Sequence, residues 1–272
     1  MPMHLEALAP VMPSHEELGD ACYTMVETAS DFYKPVDRLV HLRTRMVDRI
    51  SGEVIGNFIT TIFEDRKANM NRLVDVAIAF TSDNTVILQI GGKRGEESPA
   101  CEHYNATYEG DVEQPLWIET VNRFTAPADL EGEEVEAVLS IFPTNLDVYE
   151  DMDALNEAYG MNRPINHPYF QEIGMTNIRY TDNFLGVMDG KNMLFGTVLS
   201  FRDVHVEIEE MILDFVLAEV RTTFGPVPVA LSRDYFDLEG IHPGSALAMY
   251  AVICADLATP GYFRPIPNEP EK

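Results

Sequence analysis

Cysteine and histidine two residues apart are the first side chains here whose spacing suggests chemistry. In Cys101-x-His103 a thiol and an imidazole stand close enough in the chain to offer two ligands to a metal. A structural zinc site takes four ligands, usually as paired clusters. No second pair follows, and neither Cys22 nor Cys254 has a neighbouring histidine. The run GGKRGEE at 91–97 lacks the spacing of a phosphate loop, and no helix start follows it. The acids between Asp147 and Asp153 lack the order of a calcium loop and suit the start of a helix instead. No nucleophile elbow, zinc-protease pair or dinucleotide fingerprint is present. Cys22 falls on the apolar stripe of an expected helix and reads as a small core residue. The sequence therefore nominates no catalytic residue, no metal site and no cofactor.

Five residues remain as candidates for contact with a partner: Glu207, Glu209, Glu210, His167 and His242. In VHVEIEE, Val204, Val206 and Ile208 face one way along a strand, and His205, Glu207 and Glu209 face the other. Acids so placed either guard a sheet edge or meet a basic surface. His167 and His242 each precede a proline in an expected loop, where an imidazole is accessible.

Charge narrows the partners. Asp and Glu number 45 against 19 Lys and Arg, a net charge of −26. That field repels phosphate and so disfavours nucleic acid and anionic membrane; the charge reads first as a solvated acidic surface, with a basic protein partner or a salt-adapted organism as the alternatives. No apolar run approaches the ~20 residues of a transmembrane helix. Three widely spaced cysteines cannot form a closed disulfide set, and the N-terminus has no basic segment ahead of an apolar one. A reduced, cytoplasmic protein is expected.

The elements that must position these residues are mainly strands. A capping box at Ser14 and Glu17, then Leu18, Cys22, Met25, Val26, Ala29, Phe32 and Tyr33 on one stripe, predict a helix over 14–33. Alternation predicts strands over 38–48 and 53–63, and a hairpin over 72–90 turning at Ser82-Asp83-Asn84. Residues 92–115 are polar, without period, and read as an inserted loop. Strands at 116–121 and 134–142, a helix at 147–159 and a connector at 160–176 follow. Strands at 194–208, 211–222, 226–232 and 245–257 complete the chain before a proline-rich tail.

The second half echoes the first. VAIAFTSDNTVILQI at 76–90 and LAEVRTTFGPVPVAL at 217–231 share two alternating runs around a turn. Asp-Leu-Glu-Gly recurs at 129–132 and 237–240, each time ahead of a strand, and Gly56 and Gly196 precede the paired runs. The strand pattern of 190–258, and more weakly of 54–142, resembles an OB-fold, a five-stranded Greek-key barrel. The expected fold is α+β and mainly β. An N-terminal helix would precede two OB-like β-barrel modules, related as a divergent tandem repeat. Residues 1–160 would hold the helix and the first module, and 161–272 the second module and the tail. The function expected is that of an acidic, non-enzymatic binding or scaffold protein. The alternatives are an immunity-type inhibitor masking a basic surface and an enzyme with catalytic residues scattered on loops.

Overall fold

The computed structural model describes residues 21, 24–36, 39–65, 70–94, 101–108, 114–121, 130–161, 179–188, 191–209, 211–257 and 264–265. The chain is mainly β and forms two sheets. The first is an antiparallel meander of β1 (Ala29–Val36), β2 (Leu39–Val47), β3 (Val54–Asp65) and β4 (Met70–Phe80). Its β-branched and aromatic residues fit a pleated surface buried on both faces, and Phe58, Ile59, Ile78 and Phe80 are all buried. The expected helix over 14–33 is shorter at its end: residues 24–28 are helical, and the chain is extended from Ala29. Pairing of Phe32 with Leu42 outweighs the helical spacing of Ala29, Phe32 and Tyr33. Met25 is fully buried, and its carbonyl accepts a hydrogen bond from Thr44 Oγ1 at 2.9 Å. Leu18 and Cys22 lie outside the described residues.

The second sheet has nine strands: β5 (Val86–Arg94), β6 (Glu102–Tyr108), β7 (Gln114–Thr120), β8 (Glu134–Tyr149), β9 (Leu185–Met188), β10 (Lys191–Ile208), β11 (Met211–Thr222), β12 (Gly225–Leu231) and β13 (Ala246–Leu257). A final strand, β14 (Arg264–Pro265), pairs back onto β1. The expected strands of the second half are all present. Three expectations in the first half need correction. Residues 72–90 are not a hairpin: β4 pairs with β3, whereas β5 pairs with β6 and β8 in the other sheet. Turn residues between alternating runs serve a crossing between sheets as well as a hairpin. The segment 92–115 is not a bare loop either, because it contains β6. Only Tyr104 and Ala106 of that strand are buried, so its polar outer face hides the alternation. The helix near 147–159 is confined to Met152–Ala158 and capped by Asp151, whose Oδ1 accepts from Ala154 N at 2.8 Å; Asp147 belongs to β8.

The second sheet is organised about the antiparallel ribbon of β8 and β13, which pair from Tyr149↔Ala246 to Ala137↔Leu257. Two sets of strands meet it in matching ways. β5 is antiparallel to β8 (Val86↔Ala137), as β10 is to β13 (Leu194↔Met249). β6 follows β5 with a register shift after Ile90, and β11 follows β10 with one after Val198. The next hairpins close at Tyr108↔Gln114 and at Thr222↔Gly225. β7 then runs parallel to β13 (Ile118↔Ile253), and β12 parallel to β8 (Val229↔Ile141). Ile141 and Ile253 pair with each other. Each set thus lies against the ribbon strand that precedes or follows the other.

The turns leading into the ribbon match as well, but not at the shared tetrapeptide. Gly132 N donates to Ile90 O at 2.8 Å, and the residue that does this for Val198 is Gly244, also at 2.8 Å. Both glycines have positive φ, 88° and 100°, which a side chain would strain. The counterpart of Leu130–Glu133 is therefore His242–Ser245, and Gly240 stands one turn earlier in the chain.

Apolar side chains of both strand sets fill one interior, from Val86 and Ile118 to Val229 and Ile253. A second cluster joins the two sheets, with Phe80 stacked on Phe142 at 5.6 Å and tilted against Phe215 at 5.7 Å. Two polar clamps hold the same interface. Arg43 binds Asp256 through two hydrogen bonds of 2.8 and 2.9 Å. Asp48, at the end of β2, bridges to Val206 of β10 and accepts from His205 N at 3.0 Å. Burial raises the pKa of Asp48, but bonds from Ser51 Oγ, His205 N, Ile50 N and Ser51 N outweigh that and hold it at about 2.

Candidate binding cleft

The edge of β13 changes partner along its length. β10 pairs with it up to Ala251 and β7 from Ile253, so a gap opens beside Val252. Asn192 bridges that gap. Its Oδ1 accepts from Trp117 N at 2.9 Å, and its Nδ2 donates to Trp117 O at 2.7 Å and to Ala251 O at 3.3 Å. The side chain stands in for a missing strand residue, which satisfies buried backbone groups. Above it lies a cleft of about 290 Å³, with Tyr104, Ile118, Ala251 and Val252 as apolar wall and Arg94, Lys191, His103 and Trp117 around them. The Arg94 guanidinium lies 5.3 Å from the centre of the Trp117 ring, a cation–π arrangement.

Under the cleft runs a row of three titratable side chains on adjacent strands. His103 pairs with Glu119, and Glu119 pairs with Cys254. The Glu119 side chain is fully buried, and its Oε2 is 3.6 Å from His103 Nε2, too long for a hydrogen bond. His103 Nε2 is itself buried without a hydrogen-bond partner. Burial, then the Glu119 carboxylate and Cys101, push the Cys254 thiol well above its ordinary value. A thiol so held is a poor nucleophile. Cys101 is buried in the cluster between the sheets, and among the described residues no group of three or more His, Cys, Asp or Glu is placed to hold a metal ion.

The matching register places a second groove at the corresponding position. Arg94 pairs with His103 as Arg202 pairs with Leu217, and Asn105 with Trp117 as Glu219 with Pro228. Asn192 stands two residues before the Leu194↔Met249 pair, and Asn84 two before Val86↔Ala137. Arg202, Leu217, Pro228, Asn84 and Asp83 all line this second groove, which is larger, about 980 Å³. Asn84 also bridges, donating to Phe224 O at 2.6 Å.

The residues expected to meet a partner do not converge on either cleft. Glu207 and Glu209 are exposed at the tip of the β10–β11 ribbon, with Glu209 in the turn at φ 52°. They do not guard a bare edge there, since Arg49 N donates to His205 O at 2.7 Å and Asp48 bridges to Val206. His242 is exposed in the turn beside Val198, with its Nδ1 2.9 Å from Pro243 O. The length of β10 from Val198 to Glu207 separates the two regions by about 30 Å. Glu210 and His167 lie outside the described residues. Sequence reasoning overlooked Trp117, Arg94, Lys191 and Asn192. One signal was available: in LWIET the sole tryptophan alternates with the buried Leu116 and Ile118 and so faces outward.

Comparison of the chain with protein-family models, curated proteins and solved structures finds no match.

Proposed function

We propose that the protein is a non-enzymatic binding protein whose ligand site is the cleft at Trp117. The observation that carries this reading is a concavity beside Trp117, with Tyr104, Ile118, Ala251 and Val252 as its apolar wall and Arg94 and Lys191 at its rim. An apolar concavity with a few convergent polar groups is the usual form of a small-molecule site, and 290 Å³ suits a small ligand. The raised pKa of the Cys254 thiol favours binding over nucleophilic catalysis.

The scaffold reading belongs to the same proposal. β5–β8 and β10–β13 are two copies of one four-stranded module, each closed into a small barrel by the ribbon strand of the other. The support is the shared order of pairings, the register shifts after Ile90 and Val198, and the reciprocal Ile118↔Ile253 and Val229↔Ile141 contacts. The cytoplasm is the proposed site of action, in keeping with three cysteines that cannot all be paired with one another.

Trp117 is the only tryptophan, so its emission reports on this cleft alone. Screening a library of small fragments should yield members that quench or shift that emission. Thr144→Phe, which places a ring in the mouth of the cleft, should abolish their effect. A library that leaves the emission unmoved overturns the reading.

A further inference from the structure

Resting on that reading, we infer that the ligand is a small amphipathic acid, its apolar body along Trp117 and Val252 and its carboxylate at the rim between Arg94 and Lys191. The argument begins with charge. Acids outnumber bases by 45 to 19, so a cation in this chain has carboxylates to choose from. Arg43, Arg221 and Arg233 are matched to Asp256, Asp182 and Asp203 at 2.8, 2.5 and 2.5 Å, and Arg202 to Glu53. Arg94 and Lys191 are exposed and have no acidic partner among the described residues, yet they line one cleft. Two unmatched cations at the mouth of an apolar recess select an anion.

The depth of the site limits where that anion sits. Glu119 is buried beneath, so a second carboxylate driven to the floor would meet a like charge. The acid group therefore stays at the rim. Arg94, whose guanidinium lies 5.3 Å from the centre of the Trp117 ring, offers a planar fork that suits a carboxylate better than a lysine would. Below it, Trp117, Ile118 and Val252 accept a flat or branched hydrocarbon. The corresponding groove supplies the contrast: Asp83 stands where Lys191 does, and Pro228 where Trp117 does. It keeps an arginine, Arg202, but one matched to Glu53, and it has no counterpart of Lys191 or of the Trp117 ring.

Three compounds with one skeleton test this: 3-phenylpropanoate, 3-phenylpropanamide and 3-phenylpropylammonium, each titrated into the full chain by calorimetry with Trp117 emission followed in parallel. The carboxylate should bind about tenfold tighter than either other compound, as two partly exposed charge contacts allow. Lys191→Gln and Arg94→Gln should each remove most of that preference by weakening the carboxylate far more than the amide, and Arg202→Gln should leave the preference as it is. Equal binding of all three, or tighter binding of the amide or the ammonium, overturns the inferred acid and leaves the cleft as a binding site. Binding by none of the three overturns the acid as well, and if the fragment library also leaves Trp117 unmoved, the binding reading falls with it.

Discussion

The cleft at Trp117 and the groove at Pro228 occupy corresponding places in the two strand sets but differ in what fills them. At the first, His103, Tyr104 and Trp117 project from β6 and β7 and leave about 290 Å³. At the second, Leu217, Ala218 and Pro228 take those positions and leave about 980 Å³. An asparagine stands at the corresponding position beside each, but Asn192 bonds Trp117 within β7, whereas Asn84 reaches Phe224 O in the turn before β12. Corresponding places in the two strand sets thus hold a smaller recess and a larger groove, because side chains on the outer face are not needed to fill the interior.

The sharpest way to break this comparison is to exchange interior residues at a matching position. Leu88 pairs with Val135 as Gly196 pairs with Leu247. Leu88 is fully buried, so Leu88→Ala should cost about 2–5 kcal/mol. A Cβ at Gly196 would meet Val220 Cγ1 at 2.5 Å and Arg221 O at 2.9 Å, so Gly196→Leu should cost about 1–3 kcal/mol by overpacking. Urea unfolding measures both. A neutral Gly196→Leu would show that the second set is not closely packed where the first is filled.

Asp48 tests a contact described for one set alone, the docking of the first sheet on β10. Its carboxyl lies below the ordinary 3.8, at about 2, so its contribution is full above pH ~4 and is lost as pH falls toward 2. Asp48→Ala should cost about 2 kcal/mol at neutral pH, and the gap from wild type should close between about pH 4 and 2 in thermal melts. A gap that persists to pH 2 would place the stabilisation in packing rather than in the carboxylate.

The two bridging asparagines give the smallest expected effect. Asn192→Ala strands one N–H and two carbonyls, for about 1–3 kcal/mol, whereas Asn84→Ala removes one described bridge and should cost about 1 kcal/mol. Equal costs by chemical denaturation would mean that the enclosed cleft gains nothing from its extra bonds.

How far the sequence disclosed this arrangement varies between the two strand sets. β10 to β13 were legible because apolar alternation runs through them, as in Leu213, Phe215 and Leu217. β6 was not: His103, Asn105 and Thr107 face outward, and on the other face only Tyr104 and Ala106 are buried, too short a pattern. The echo in the sequence sets 76–90, which is β4 and β5, against 217–231, whereas the order of pairings sets β11 and β12 against strands two further along. The hairpin that matches 211–231 is β6–β7, at 102–120, and the shared tetrapeptide is out of step with the turns that correspond. The cleft escaped notice because its residues come from β5, β6, β7, β10 and β13 and leave no linear motif. Long-range pairing, not local sequence, brings Lys191 to Arg94.

The reciprocal contacts of β7 with β13 and of β12 with β8 also set a timetable during synthesis. When β5 to β8 have left the ribosome, one edge of β7 and much of β8 still await a strand made roughly 100 residues later. At usual elongation rates that interval lasts about 5–20 s, long compared with the microseconds in which hairpins form. The nascent chain must therefore wait with open hydrogen-bonding edges, the state in which β-rich chains aggregate. A net charge of −26 opposes the close approach of neighbouring chains whose edges are open in this way.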